Sequence, residues 1–205
     1  MPDLILDIEQ AKYHAFLWSV DNQVDAQVSI ELTAEWFAKQ KLPVTPAALG
    51  THLRYFHTCR MNSKRTWDSH ADEAWAAADA WSLETVKHLA IVNVAGIAGS
   101  VALIAMPSNS SRLGFQVALA SFIVGAVLAL LDLWVVGSGY TLRARGASAR
   151  ASKIQKVNSW ATFLEAENEP YVDKGKDWFE FAELTGWTSA ICVLIGGVAI
   201  FFSLF

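Results

Sequence analysis

The sequence predicts an all-α integral membrane protein with three transmembrane helices, an N-terminal cytoplasmic helical domain, and a cytoplasmic α-hairpin between spans two and three. Three observations predict it. Leu89 to Met106, Phe115 to Val136 and Trp187 to Phe205 are apolar runs of 18, 22 and 19 residues, and at about 1.5 Å per residue each can cross a hydrocarbon core of about 30 Å. Only Asp132 interrupts these runs with a charge, whereas a long buried helix of a soluble protein carries a polar stripe. Residues 1 to 85 contain no alternating β-branched runs and few turn signals between Pro2 and Pro43, so they too read as helix.

The chain has 205 residues, 53% of them hydrophobic, and a formal charge of −4. That composition fits a small polytopic protein carrying a soluble part. The shift at about Leu89 divides it into a cytoplasmic domain over residues 1–85 and a membrane domain over 86–205. The first is near the lower size at which a lone core suffices, so it is expected to lean on the membrane part or on a partner.

Taken in order, a first helix is expected from Leu4 to Val20, where Leu6, Tyr13, Phe16, Leu17 and Val20 recur near helical spacing. A second covers Ala26 to Lys41, with Ile30, Ala34 and Phe37 on one face. Pro43 and Pro46 then break the chain, because proline lacks an N–H and biases its predecessor away from helix. Thr45-Pro46 reads as an N-cap and first-turn proline opening a helix to about Cys59. Another, from Asp68 to Lys87, runs into span one. The short segment Pro107 to Gly114 makes spans one and two an antiparallel pair. Beyond span two, Gly137 and Gly139 loosen the helix, and Arg143 to Glu167 is good helix-forming sequence with Ile154, Val157, Ala161 and Leu164 in one stripe. Glu169-Pro170 ends that arm. A returning helix from about Tyr171 leads into span three, so residues 138–185 form the hairpin.

Basic residues set the orientation. Pro107 to Gly114 holds only Arg112, whereas Arg143, Arg145, Arg150, Lys153 and Lys156 follow span two within fourteen residues. Lys and Arg near span ends stay in the cytoplasm, which puts the long loop and the N-terminus inside and Phe205 outside. Met1 to Gln10 has no basic segment ahead of an apolar one, and so does not read as a secretory signal. The five basic residues after span two are also expected to attract anionic head groups, at about 1 kcal/mol per charge.

Within the spans, Asp132 is the sharpest single residue. A carboxylate at a span centre costs about 2.5–3.5 kcal/mol on insertion scales, so it faces the bundle interior or water. Its position about one turn from the inner end of span two favours a near-interface carboxylate, with an ion path, proton relay or subunit contact as the alternative. Asn93 is the second intramembrane polar residue. Small residues recur at four-residue spacing: Ala95 with Gly99, Gly96 with Ser100, Ser121 with Gly125 and Ala129, and Cys192 with Gly196, next to Gly197. In lipid such residues mark faces where helices approach closely, within one bundle or between subunits.

Other signals are weaker. Cys59 and Cys192 lie in different parts of the chain and are expected to stay unpaired. His52, His57, Cys59 and His70 lack the paired cysteines that would complete a zinc site. Leu32 to Phe56 has about the length of a helix-turn-helix, but its turn is long and doubly prolyl, and residues 1–88 carry eight basic against twelve acidic side chains, so nucleic-acid binding is not expected. No nucleophile elbow, phosphate loop, zinc-protease or paired-cysteine motif is present. No enzymatic activity, catalytic residue, metal or cofactor is expected. Of the nine tryptophans, Trp134 and Trp187 suit the inner membrane interface, and Trp18, Trp36, Trp75 and Trp160 suit core or docking positions.

The stretch Lys87-His-Leu-Ala-Ile-Val-Asn-Val-Ala-Gly-Ile-Ala-Gly-Ser-Val-Ala-Leu-Ile104, followed by a second span, a cytoplasmic hairpin and a terminal third span, resembles small uncharacterised bacterial inner-membrane proteins. More loosely, residues 85–205 resemble the two-span effector modules of bacterial antiviral defence systems, whose membrane hairpin and long cytoplasmic helix assemble into membrane-disrupting oligomers. The resemblance implies a homo-oligomer in a bacterial inner membrane, a pore or membrane-perturbing effector gated by its cytoplasmic helices. The alternatives are an anchor or scaffold for a cytoplasmic protein bound through residues 1–85, and a membrane-tethered helix-turn-helix regulator.

Overall fold

The computed structural model describes residues 4–40, 44–83, 85–106 and 112–204. Pro43, the greater part of the expected 107–114 connection, and Phe205 lie outside them. Among the described residues the fold is all-α with seven helices: α1 Ile8–Asp21, α2 Ala26–Lys39, α3 Pro46–Leu83, α4 Thr85–Ile104, α5 Arg112–Gln155, α6 Trp160–Asn168 and α7 Lys176–Leu204. Three of them, α4, α5 and α7, are long and apolar enough to cross a membrane. The chain divides into two compact units, Met1–Ala71 with Ala147–Val172, and Asp72–Gly146 with Asp173–Phe205. The middle of the inter-span segment belongs with the N-terminal helices, and its two flanks belong with the membrane-length ones.

In the first unit, caps fix the helix starts. Asp7 accepts a hydrogen bond from Gln10 N at 2.8 Å, and Asp25 accepts from Gln27 N and Val28 N. Each satisfies amides that have no partner within the first helical turn. Thr45 accepts from Ala48 N ahead of Pro46, as expected. The residues before α1 do not extend it: Ile5 is buried and donates its N–H to Val44 O in an isolated antiparallel bridge.

α1 departs from expectation. It buries Ala11, Ala15 and Ser19, while Leu6, Tyr13, Phe16, Leu17 and Val20 are exposed, Leu6 by 75%. Small residues at four-residue spacing let α1 lie close on its neighbour, and the bulky stripe lies on the opposite side of the helix. The core is built from Leu32 of α2, Leu49, Leu53 and Phe56 of α3, and Ile154, Val157, Phe163 and Ala166.

α3 is one helix where two were expected, because nothing between Cys59 and Asp68 breaks it. The opposite correction applies after span two. The expected helix from Arg143 to Glu167 is interrupted: α5 stops at Gln155, and Ser159 starts α6 with a capping box in which it exchanges hydrogen bonds with Thr162. That restart shifts the register. Ile154 and Val157 are buried as expected, but Phe163 and Ala166 take the inward positions, leaving Ala161 and Leu164 exposed.

Candidate functional site

The membrane-length helices of the second unit bury residues at alternating spacings of three and four. On α5 these are Phe115, Ala118, Phe122, Gly125, Ala129, Asp132 and Val136. On α4 Asn93 and Ser100 are fully buried, with the half-buried Gly96 between them, and on α7 Ala182, Thr185, Ser189 and Gly196 follow the same rhythm. A 3.5-residue repeat keeps one seam facing a nearly aligned neighbour. Bulky apolar side chains face outward, Leu194 by 68% and Phe202 by 74%. Small inside and large outside is the arrangement expected where the surroundings are hydrocarbon.

Successive layers tie the three helices together. At one end Gly114 of α5 meets Ser203 of α7 so closely that a Cβ has no room. Next, the Phe122 ring lies between Gly96 of α4 and Gly196 of α7, where a Cβ at Gly196 would stand only 2.7 Å from the ring. One layer on, Asn93 rests against Gly125. Its Nδ2 donates to Leu89 O at 2.8 Å and, at 3.5 Å, to Ser189 Oγ, while Ser189 Oγ donates to Gly125 O at 2.8 Å. Among the described residues no donor reaches the buried Asn93 Oδ1. The fourth layer holds Asp132, 5% exposed, whose Oδ1 accepts from Thr185 Oγ1 at 3.0 Å. Beyond it Tyr140 and Phe179 pair edge to face at 4.7 Å, and Gly139 admits Phe179 and Trp178. Gly139 therefore serves close approach, and α5 runs straight through both Gly137 and Gly139 instead of loosening there.

The structure separates the small residues into two groups. Gly96, Ser100, Gly125, Ala129 and Gly196 face the seam, with Ser121 half-buried. Ala95, Gly99 and Gly197 point away, and a Cβ on Gly99 or Gly197 would meet nothing within 4 Å. Thr185, Ser189 and Phe122, which complete the layers, are absent from the sequence-based set. The signal was present in the run Ala182, Thr185, Ser189, Cys192, Gly196, Ala199, Ser203, small or hydroxylated residues at three-four spacing.

The basic residues after span two are largely committed within their own units. In the second, Arg143 pairs with Asp173 through two hydrogen bonds and lies 4.6 Å over the Phe179 ring. That guanidinium, the first cause, holds the Asp173 carboxyl below its usual range. In the first unit Arg150 stacks 4.2 Å over Trp67 and donates to the carbonyls of Ala166 and Glu167 at the end of α6, and Lys153 meets Glu169 at 2.6 Å. Arg145 and Lys156 are exposed.

The histidines of the first unit are packed among aromatic rings. His52 stacks on Trp36 at 4.7 Å, and His57 is buried 3.0 Å from Ser29 Oγ beside Trp18. Burial, then Arg60, pushes the His57 pKa down to about 4. Among the described residues no group of three or more His, Cys, Asp or Glu is placed to hold a metal ion. The stretch weighed as a helix-turn-helix buries Leu49, Leu53 and Phe56 and continues as the 38-residue α3. Trp134 and Trp187 are exposed, Trp18, Trp36 and Trp160 pack against the core, and Trp75, expected there, is exposed.

The fold and its layered seam define a helical protein with three candidate membrane spans in contact with lipid. No protein-family model, curated protein or solved structure matches the chain.

Proposed function

We propose that this chain is a non-enzymatic, multi-pass protein of a bacterial inner membrane, with its N-terminus cytoplasmic and its C-terminus outside, serving as an anchor that carries a cytoplasmic helical unit to the bilayer. One observation carries the reading: most of the inward-facing polar and small groups of the three spans meet one another. Asn93, Ser189 and Gly125 join all three helices, Thr185 holds Asp132, and Phe122 occupies the notches at Gly96 and Gly196. Among the described residues these contacts fill the middle of the bundle. The exposed bulky face of α1 suits a protein partner. A second reading, an oligomeric pore or effector, is favoured by the outward Ala95, Gly99 and Gly197, which offer another subunit a close approach.

The mass of the complex extracted directly into nanodiscs separates them. A single copy, unchanged by Gly99→Leu, supports the anchor. A closed ring of about four or more copies that Gly99→Leu disperses overturns it in favour of the oligomer.

A further inference from the structure

We propose that the cavity at the Asp132 end of the bundle binds a lipophilic cation, a protonated amine or quaternary onium group on an apolar body. The cavity, about 490 Å³, lies within the second unit, lined by Leu89 of α4 and by residues of α5 and α7. Ligand sites run about 300–1,000 Å³, with apolar and aromatic walls and a few polar groups that orient the occupant. Here the charged lining is of one sign. Asp132 and Glu183 are its acidic residues, and among the described residues no basic side chain lines it.

Asp132 is only partly satisfied. A carboxylate has about four acceptor positions. Among the described residues only Thr185 donates to Asp132, at Oδ1, and that hydroxyl's one hydrogen is shared with Ala182 O, 2.9 Å away. Oδ2 is left toward Gly186, where even an added Cβ would stand 3.7 Å from it. Gly186 and the carboxylate line the cavity side by side.

The rings supply the second half of a cation site. Tyr140, Phe179 and Trp187 line the same cavity, and the negative faces of aromatic rings attract cations. Phe179 already carries one, the Arg143 guanidinium, which Asp173 neutralises and holds. The Arg143 guanidinium over these walls is thus held by Asp173, and among the described residues no basic side chain is paired with Asp132, in a span where an ionised carboxylate without a cation beside it is costly. Leu89, Val136 and Trp187 flank it on the apolar side, and Glu183 lies one turn of α7 toward the Arg143 end. An occupant with a cationic head between the carboxylates and an apolar body along Leu89 and Trp187 matches both. The site is complete within one chain, so it stands whatever the copy number.

The test is equilibrium binding of radiolabelled tetraphenylphosphonium to the full-length protein in phosphatidylglycerol nanodiscs, with empty discs subtracted and triphenylphosphine oxide as the uncharged analogue. Saturable, one-to-one binding is expected. It should weaken at least tenfold in Asp132→Asn and severalfold in Glu183→Gln, an exposed position whose change leaves the bundle intact, and the neutral analogue should not compete. Replacing half the lipid with phosphatidylethanolamine identifies the source. Loss of tetraphenylphosphonium binding marks the amine head group of the bilayer as the resident cation, and unchanged binding marks a free lipophilic cation. Absence of saturable binding, equal binding by folded Asp132→Asn and Glu183→Gln, or equal competition by the neutral analogue would overturn the proposal.

Discussion

Acidification between pH 7 and 5 should loosen the first unit through His57. Its imidazole is buried beside Trp18, and its folded pKa of about 4 compares with 6.5 for a free histidine. A group whose pKa is depressed by folding binds more protons in the unfolded chain at intermediate pH, so stability is full above about 6.5 and falls as the pH drops toward the folded value. At about 1.4 kcal/mol per tenfold change in proton affinity, the total is about 3 kcal/mol, of which about 2 kcal/mol is lost between pH 7 and 5. His52, also lowered by burial, adds in the same direction. Asp173 and Glu169 have lowered pKa values, so their contributions are lost only below the carboxylate range and do not enter this window. The assay is urea unfolding of the full-length protein in nanodiscs, followed by near-ultraviolet circular dichroism. Urea leaves bilayer-embedded helices folded, and the first unit's cluster of Trp18, Trp36, Phe56 and Trp160 supplies the signal. His57→Gln keeps a hydrogen-bonding group without a titrating one and should flatten most of the pH dependence. Equal loss in wild type and His57→Gln between pH 7 and 5 would refute the reasoning.

Three further outcomes follow from packing. Gly96→Val drives a side chain into the Phe122 ring and should cost about 1–3 kcal/mol in a detergent unfolding titration, whereas Gly99→Val, one turn-face away in open space, should be neutral within about 0.5 kcal/mol. Ser189→Ala removes the donor to Gly125 O and should cost about 0.6–2 kcal/mol in the same titration, with the bundle still assembled. Arg150→Ala removes the stack on Trp67 and the cap on the α6 carbonyls. It should cost about 1–3 kcal/mol and expose the segment after Asn168 to limited proteolysis at protease levels that leave wild type intact.

The parts legible in the sequence were those with a local cause. Length and apolarity marked α4, α5 and α7, and Thr45-Pro46 announced the start of α3. The face of α1 was misread because bulky residues at helical spacing signal a core only when the neighbouring helix packs on them. Here Ala11, Ala15 and Ser19 supply a smoother surface, and closeness of approach decided the contact. The end of α5 was missed for a similar reason. Propensity alone continues a helix past Gln155, but Ser159 and Thr162 offer the backbone an alternative set of hydrogen bonds, and capping α6 lets Phe163 reach the aromatic cluster of Phe56 and Trp160.

In the spans, the four-residue spacing of glycines and serines marked small residues without assigning them a side, and Gly96 and Ser100 turn inward while Ala95 and Gly99 do not. Ala95 with Gly99 and Gly96 with Ser100 are indistinguishable as patterns. What separates them is Asn93, which shares a face with Gly96 and Ser100 at three- and seven-residue offsets and cannot be left in hydrocarbon with its amide unpaired. Its donation to Ser189 fixes which face of α4 turns inward, and Gly125 must then lack a side chain to receive it. The same reasoning reaches Asp132 only halfway. Its cost dictated an inward position and a donor, which Thr185 provides, but the adjoining space depends on which residues of α4, α5 and α7 come together around it, from Leu89 to Tyr140 and Trp187. That meeting of three helices is not marked in a single sequence, so the carboxylate was readable as a residue and its cavity was not.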